Sequence, residues 1–205
     1  MGQMVEMAGA ATKKLPKAER REQLLETAQT IIREKGTDAL TLGHVAECAG
    51  VSKPIAYEHF GTRAGLLIAL CSDYDQRQKE ARGEVLGKGD ETLADAIAVM
   101  AAAYVNCVLG MGPEMGAAFA ALSATEETAD FRRSLREGYV AEYRRIFGRF
   151  VKLPQNDDAM FLGFLGAAEA LAQDAAAGRV SPGEAVEALS RIFSGTLERY
   201  RVREG

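Results

Sequence analysis

Histidine is scarce in this sequence of 205 residues, which contains only two. Both of them, His44 and His59, lie in the first third of the chain, so the remaining two thirds has no imidazole for acid–base catalysis. The sequence also lacks the motifs of serine hydrolases, zinc proteases, P-loop proteins and dinucleotide-binding proteins. These absences argue against an enzyme, and we identify no catalytic residue.

Cysteine is nearly as rare, with three residues at positions 48, 71 and 107. An odd number without a CxxC pair predicts unpaired thiols and a reducing cytoplasm, and residues 1–12 lack the order of a signal peptide. His44 and Cys48 have the i, i+4 spacing of metal ligands, but two ligands do not make a zinc site. We therefore expect Cys48 to be a packed thiol, and we expect no metal and no cofactor.

Strand patterns and long apolar runs are also missing. No segment alternates apolar and polar residues beside hairpin turns, which predicts an all-α fold. The longest uncharged run, from Ala96 to Pro113, contains Asn106 and ends in two glycines and a proline. This composition favours a buried core helix over a membrane span, and we expect no membrane partner.

Charge is low and unevenly distributed. The net charge is −4, with nine Lys and Arg against eight Asp and Glu in residues 1–65, and sixteen against twenty-one in the remainder. An acidic body with a more basic N-terminal end is poorly suited to coating a polyanion. The distribution fits a protein that binds a specific DNA site at that end.

Apolar periodicity and capping residues predict the order of the helices. A first helix spans Lys17 to Lys35 and ends at Gly36, and a long helix capped by Thr62 runs to about Val85. Glycines between Gly83 and Asp90 suggest a boundary, after which five more helices follow; the last begins with a capping box at Ser181. Residues 1–14 are expected to form a disordered arm.

The most informative segment is a pair of short helices that meet at Gly50. Residues 41–49 place apolar side chains at i, i+3, i+4 and i+7, and residues 51–60 form a second helix anchored by Val51, Ala56 and Phe60. This is the pattern of a helix-turn-helix, whose second helix enters the major groove of DNA. The alternative is a structural three-helix unit with an unremarkable polar surface.

The outward side chains of this unit suit contacts with bases and phosphates. Pro54 and Ile55 could pack on thymine methyl groups, Lys53 could donate to guanine or phosphate, and Glu58 could accept from cytosine or pair with Lys53 or Arg63. Phosphate contacts are predicted from Tyr57 and His59 on this second helix, which we call the reading helix, and from Thr41 and His44 on the helix before it. The N-terminal amides of the long helix that follows Thr62, with Arg63 beside them, are predicted to bind a further phosphate. The predicted DNA-binding residues are Thr41, His44, Ser52, Lys53, Pro54, Ile55, Tyr57, Glu58, His59 and Arg63.

The same segment resembles the N-terminal domain of TetR-like (tetracycline-repressor family) transcriptional regulators. The resemblance rests on Gly36, Leu40-Thr41, Val45-Ala46, residues 49–52, Tyr57-x-His59-Phe60, and Arg63 with Leu66-Leu67. It implies a helix-turn-helix domain over residues 15–62 and a helical effector-binding and dimerisation domain over 63–205. Gly43 and Glu58 depart from the residues that many relatives carry, so the resemblance does not predict the operator sequence.

The resemblance also implies a function. It implies a homodimer bound to a palindromic operator in double-stranded DNA and released by a small apolar or aromatic effector, most simply a repressor. A helical ligand-binding or scaffolding protein without DNA binding remains the alternative.

An aromatic and methionine-rich set in the second domain could line the effector pocket, because such side chains adapt in shape and offer few polar anchors. The alternative is that the aromatic stripe is ordinary core. The predicted pocket residues are Met100, Tyr104, Met111, Met115, Phe119, Phe131, Tyr139, Tyr143 and Phe147.

The last two helices carry more apolar surface than a two-helix tail could bury in its own domain. A four-helix interface with a second copy would bury that surface, whereas packing within one chain is the alternative. The predicted dimer-interface residues are Phe161, Phe164, Leu165, Leu171, Val186, Leu189, Phe193 and Leu197.

Overall fold

A computed structural model describes residues 15–86, 92–122, 128–155 and 158–201. Over these ranges the chain forms α-helices joined by turns and two short 3-10 helices, and it contains no strand, which confirms the all-α prediction. The predicted arm at residues 1–14 lies outside the described residues. The α-helices are α1 Lys17–Lys35, α2 Leu42–Cys48, α3 Lys53–Phe60, α4 Arg63–Leu86, α5 Leu93–Leu109, α6 Pro113–Leu122, α7 Ala129–Phe147, α8 Asp158–Ala176 and α9 Pro182–Leu197.

Most helix ends lie where the capping residues predicted them. Gly36 ends α1 at a φ of 79°, and the Thr41 hydroxyl accepts a hydrogen bond from the His44 amide at the start of α2. Ser181 forms the predicted capping box with Glu184. A second capping box, between Thr92 and Asp95 at the start of α5, was not predicted from the sequence. The capping side chains satisfy amides that a helix leaves unpaired at its first turn.

Helix α4 links the two halves of the molecule. Its 24 residues span about 36 Å at 1.5 Å per residue, and it continues through Gly83, where the sequence suggested a boundary. Thr62 caps it by accepting from the Gly65 amide at 2.9 Å. A Cβ atom at Gly65 would lie 2.1 Å from the Phe60 carbonyl oxygen, so only glycine permits this close approach of α3 to α4.

Two hydrophobic clusters form the core of the described part of the chain. The first, which we call the head cluster, joins α1, α2, α3 and the first half of α4, and it also includes Met115, Ala118 and Leu122 of α6. The second, the body cluster, joins α5, α7, α8 and α9 with the last residue of α4. Helix α6 therefore packs with the head, although the sequence placed it in the body.

The body cluster is rich in aromatic rings, and this corrects the predicted dimer interface. The Phe164 and Phe193 rings stack with centroids 4.2 Å apart, and Tyr143 contacts both. The residues predicted to form the dimer interface are instead covered by other residues of the same chain. Buried in the body cluster are Phe161, Phe164, Leu165, Leu189, Phe193 and Leu197, and half-buried against it are Leu171 and Val186. The reason is that α5 and α7 cover the inner faces of α8 and α9.

Within the described ranges, no single helix combines the length and apolar character needed to cross a membrane. Helices α5 and α6 meet the criterion only when taken together, and they are bent by 100° relative to each other. Helix α5, which contains most of the uncharged run, buries Leu93, Ile97, Met100 and Val105 in the body cluster.

Candidate nucleic-acid interface and ligand cavity

The short helices α2 and α3 form the predicted helix-turn-helix. Gly50 has a φ of 67° in the turn, and the Val51 amide donates to the Ala46 carbonyl at 2.9 Å. This backbone conformation strongly favours glycine. Ala56 and Phe60 are buried in the head cluster and anchor the inner face of α3. The opposite face of α3 is therefore held outward by packing.

That outward face carries most of the residues predicted to contact DNA. Ser52, Lys53, Pro54, Tyr57 and Glu58 are all exposed, and Tyr57 has 54% of its surface accessible, unusually high for a large aromatic side chain. Ser52 stands at the N-cap of α3, but its hydroxyl makes no capping bond. The start of α3 thus presents a hydroxyl and an ammonium group, with a phenol one turn later.

Gly43 on α2 leaves room for Lys53. A Cβ atom at Gly43 would lie 3.5 Å from Cε of Lys53, whose side chain crosses the surface of α2 at this point. A longer side chain at position 43 would compete with Lys53 for the same space. The glycine at position 43, which departs from the family pattern, therefore leaves the space that the Lys53 side chain occupies.

Two of the predicted DNA-contacting residues have other partners in the structure. Ile55 is half-buried and packs against the head cluster, so it is less available for thymine methyl groups than expected. Arg63 donates from Nε to the Leu40 carbonyl at 2.9 Å and from its guanidinium to the Thr37 carbonyl at 2.7 Å. Arg63 thus braces the connection between α1 and α2 instead of extending toward a phosphate as predicted.

Glu58 pairs with neither of its expected partners. Its carboxylate lies 3.5 Å from Nζ of Lys17 in the first turn of α1. Burial lowers the pKa of the neighbouring His59 below its ordinary value, and Lys17 lowers it further. The α3 surface therefore continues onto the start of α1. The sequence reading missed Lys17, although the basic residues at positions 17, 20 and 21 were a signal for it.

The other two predicted contacts lie on or beside α2. Thr41 is exposed, and His44 has Nε2 3.3 Å from Nζ of Lys35. Cys48 lies 3.9 Å from the His44 ring and is exposed, which corrects the expectation of a packed thiol. In the described part of the chain, no group of three or more His, Cys, Asp and Glu residues is arranged to hold a metal ion.

A cavity of about 740 Å³ lies between α4, α5, α6, α7 and α8. This volume is within the range that holds drug-sized ligands, roughly 300–1,000 Å³. Its walls are formed by Tyr74, Asp75, Tyr104, Cys107, Val108, Met111, Gly116, Phe119, Ala120, Leu122, Arg132, Leu135, Arg136, Tyr139, Leu165, Glu169 and Gln173.

Four of the nine predicted pocket residues line this cavity: Tyr104, Met111, Phe119 and Tyr139. The structure does not bring the others to it, because their helices turn them into the two cores. Met100, Tyr143 and Phe147 are buried in the body cluster, whereas Met115 is buried in the head cluster and Phe131 packs against it. For these five residues the alternative, ordinary core packing, describes the structure.

The sequence reading missed the polar groups of the cavity. Asp75 is 7% exposed; its Oδ2 lies 2.7 Å from Nζ of Lys79, and within the described ranges its buried Oδ1 has no hydrogen-bond partner. Tyr74 donates to the Cys107 carbonyl at 2.9 Å. The sequence analysis predicted α4 only as a long helix. A charged residue at position 75, on the same face as Leu67 and Cys71, was the signal that could have suggested Asp75.

A buried ion pair supports the wall behind the cavity. Arg82 of α4 donates two hydrogen bonds to Glu142 of α7, at 3.2 Å and 2.7 Å. Its guanidinium also lies 5.6 Å from the centroid of the Tyr139 ring. Burial raises the pKa of Tyr139 and of Tyr104 above their ordinary value, so both phenols are neutral hydrogen-bonding groups at physiological pH.

The outer faces of α8 and α9 are exposed and carry several small residues. On α8, Leu162, Gly166 and Ala170 repeat at i, i+4 and i+8, and all three are exposed. On α9, Ile192 is 41% exposed beside Gly195. A Cβ atom at Gly166 or Gly195 would meet nothing within 4 Å. These faces could pack closely against another helical surface.

The N-terminal part of the chain is similar to known bacterial regulatory proteins. Residues 24–70 match the model of the bacterial regulatory proteins of the tetR family. The transcriptional activator FasR of Mycolicibacterium smegmatis is 40% identical over 57 residues, which are 28% of this chain and 26% of FasR. The regulator BetI of Rhizobium meliloti is 42% identical over 50 residues, 24% of this chain and 25% of BetI. The chain thus spans about a quarter of the length of these relatives.

Solved structures extend the similarity of fold to the whole molecule. A TetR-like transcriptional regulator from Rhodococcus sp. RHA1 superposes with a TM-score of 0.64 at 19% identity, over 89% of this chain and 98% of that one. NalD of Pseudomonas aeruginosa, the secondary repressor of a multidrug efflux pump, has a TM-score of 0.57 at 17% identity over 93% of this chain and 100% of NalD. The predicted resemblance is confirmed.

Proposed function

We propose that this chain, whose residues 24–70 match the model of the tetR family of bacterial regulatory proteins, regulates transcription by binding a palindromic operator as a homodimer. A small molecule in the cavity releases it from the DNA. We take repression as the simpler mode of regulation, although the relatives include one protein named as an activator and one named as a repressor.

The exposed start of α3 is the observation that carries this proposal. Ser52, Lys53 and Tyr57 project from a helix of eight residues whose other face is fixed in the head cluster. A short helix with donors near its N-terminus fits the major groove, where bases present their distinguishing edges. Lys17 at the start of α1 adds a cation beside this surface.

Two helices connect the cavity to the DNA-binding head. Helix α4 places Leu66 and Leu70 in the head cluster and, one turn later, Tyr74 and Asp75 in the cavity wall. Helix α6 lines the cavity with Phe119 and buries residues of its other face in the head cluster. A ligand that favours one arrangement of these helices would change the position of the head, which requires only different affinities for two states.

The outer faces of α8 and α9 support the homodimer. Their small residues allow close helix approach, and Leu162 and Ile192 are large apolar side chains exposed on them. Pairing these faces with a second copy would form a four-helix interface, as in many symmetric dimers. Two heads related by a two-fold axis would then fit the two halves of a palindrome.

Fluorescence anisotropy with DNA from upstream of the protein's own coding sequence tests the proposal. We expect preference over random DNA of equal length, one dimer per palindrome, and an affinity that falls steeply with salt. The slope of log affinity against log salt should be about −0.9 for each phosphate contacted.

The matched control is Arg145→Ala, which removes a cation from an exposed position on α7 of the body. Lys53→Ala removes one from the reading helix. Equal affinity of wild type for specific and random DNA at every salt concentration, or equal losses in the two variants, would contradict the proposed role of α3.

A further inference from the structure

Asp75 is a buried carboxyl group with half of its hydrogen-bonding capacity unused. It is 7% exposed, and Oδ2 is engaged by Lys79 at 2.7 Å. Of the groups that the structure describes, none donates to Oδ1, although this atom is buried. Buried acceptors are nearly always satisfied in proteins, because leaving one unpaired costs free energy. Asp75 also lines the cavity, so a rotation of its carboxyl group would bring Oδ1 to a donor held there.

The surroundings of Asp75 are aromatic and hydrogen-bonding. Tyr74, Tyr104 and Tyr139 line the same cavity, and the Tyr104 and Tyr139 rings lie 5.8 Å apart. Val108 and Leu135 add apolar surface. A flat apolar molecule could therefore pack against these tyrosine rings, with a polar group directed at Asp75.

The charge near Asp75 is already balanced. Lys79 pairs with Asp75, and Arg82 pairs with Glu142. The remaining charged groups of the cavity wall are Arg132, Arg136 and Glu169. The group required at Oδ1 is thus a hydrogen-bond donor, and it need not be a cation. An anionic group at this end of the cavity would instead face the carboxylate.

We infer that the effector is an aromatic or apolar molecule that carries a hydroxyl or an amine N–H group, and that this group donates a hydrogen bond to Oδ1 of Asp75. This inference rests on the proposal that the cavity holds the effector. It restricts the effector class that the sequence predicted, because apolar character alone does not satisfy the carboxyl group. A ligand without the donor would leave Asp75 unpaired.

Calorimetric titration of the full-length protein with three matched probes tests the inference. The probes are 4-phenylphenol, its methyl ether, and biphenyl; they share a body, and only the first carries a donor. A hydrogen bond to a charged acceptor predicts that the phenol binds about 10- to 100-fold more tightly than the ether. Biphenyl should bind no better than the ether.

Asp75→Leu removes the acceptor while keeping a side chain of similar size, and it should reduce the ratio of the two affinities to about one. Lys79→Met is the matched control, because it removes the ion-pair partner and leaves Oδ1 in place, so the ratio should persist. Asp75→Asn keeps one acceptor oxygen and should give an intermediate ratio, which decides the question if the leucine variant does not fold.

Equal binding of phenol and ether to wild type, an unchanged ratio in Asp75→Leu, or no saturable binding of any probe would overturn the inference. Anisotropy with upstream DNA is measured on the same samples. If the protein binds the phenol more tightly than the ether but does not bind the upstream DNA, the proposed function is refuted and the ligand assignment still holds. If the protein binds the upstream DNA but binds phenol and ether equally, the ligand assignment is refuted and the proposed function still holds.

Discussion

The guanidinium of Arg33 on α1 lies 2.9 Å from Oε1 of Glu114 on α6, so a charged hydrogen bond joins the first helix of the proposed DNA-binding domain to a helix that contributes to the cavity. The Glu114 side chain is 13% exposed and its Oε2 is buried without a partner in the described ranges, whereas Arg33 is more than half exposed. The hydrogen bond from Arg33 lowers the pKa of the Glu114 carboxyl below its ordinary value. This contact spans 81 positions of sequence and links α1, which packs under the proposed DNA-binding surface, to α6, other residues of which line the cavity.

Glu114→Gln should leave operator affinity close to that of wild type but reduce the ligand-induced release by about 2- to 30-fold, the range for residues within a coupling network. The measurement is operator affinity with and without a cavity ligand. Glu22→Gln is the control, because Glu22 is an exposed carboxylate of α1 whose ion-pair partner is Arg77 of α4. If the ligand reduces operator affinity equally in wild type, Glu114→Gln and Glu22→Gln, the Arg33–Glu114 pair does not transmit the effect of the ligand.

The same pair predicts a pH dependence of stability. Because folding lowers the pKa of Glu114 from 4.5, the ionised pair stabilises the folded protein above about pH 4.5. That contribution is lost as pH falls through the lower pKa of the folded state. The difference in melting temperature between wild type and Glu114→Gln should therefore shrink below pH 4.5, and a difference that grows there would contradict the assignment.

Tyr57→Ala and Lys53→Ala should each weaken operator binding by about 1–3 kcal/mol per half-site, because they remove groups from the exposed face of α3. Neither side chain is part of the buried head cluster, so the melting temperature should stay near that of wild type. Loss of a phosphate contact would also flatten the salt slope by about one unit. Unchanged operator affinity in both variants would show that another surface reads the DNA.

His59 should make operator affinity sensitive to pH. In the free protein, burial and Lys17 lower the pKa of His59 below its ordinary value of 6.5. A bound phosphate would raise this pKa by favouring the charged ring. Binding would then take up a proton, so affinity should rise as pH falls from 8 to 6. The rise should be absent in His59→Gln and present in His44→Gln. The same pH profile in all three proteins would place His59 away from the phosphates.

The dimer is tested at the outer faces of α8 and α9. Leu162→Asp with Ile192→Asp should yield folded monomers that bind operator poorly, because the interface would bury unpaired charges. Val85→Asp is the control, since Val85 is 50% exposed but lies on α4. Sedimentation distinguishes the results, and a stable dimer from the double variant would place the interface elsewhere. Substitutions at Leu189 or Phe193 would instead disrupt the body core.

Filling the cavity should separate DNA binding from ligand response. Ala120 of α6 lines the cavity, and Ala120→Trp should occupy its space while leaving the reading face unchanged. We expect operator affinity within a few-fold of wild type and a ligand affinity reduced at least tenfold. Ala120→Ser is the control that keeps the cavity open. An unchanged ligand affinity in the tryptophan variant would place the ligand elsewhere.

Local patterns in the sequence were sufficient to predict much of this protein. The bounds of α1, the caps at Thr41, Thr62 and Ser181, and the turn at Gly50 depend on interactions within a few residues, so they could be read directly. The exposed set around Tyr57 followed from the same periodicity, because the apolar positions of a short helix determine which positions remain outside.

Tertiary packing decided which apolar face meets which neighbour. Phe164 and Phe193 looked suited to a partner chain, but α5 and α7 cover them within one chain. Periodicity identifies an apolar face and does not say whether the covering surface belongs to the same molecule. Only the fold placed Asp75 in the cavity wall and Arg33 beside Glu114, because both relationships depend on how separate helices pack.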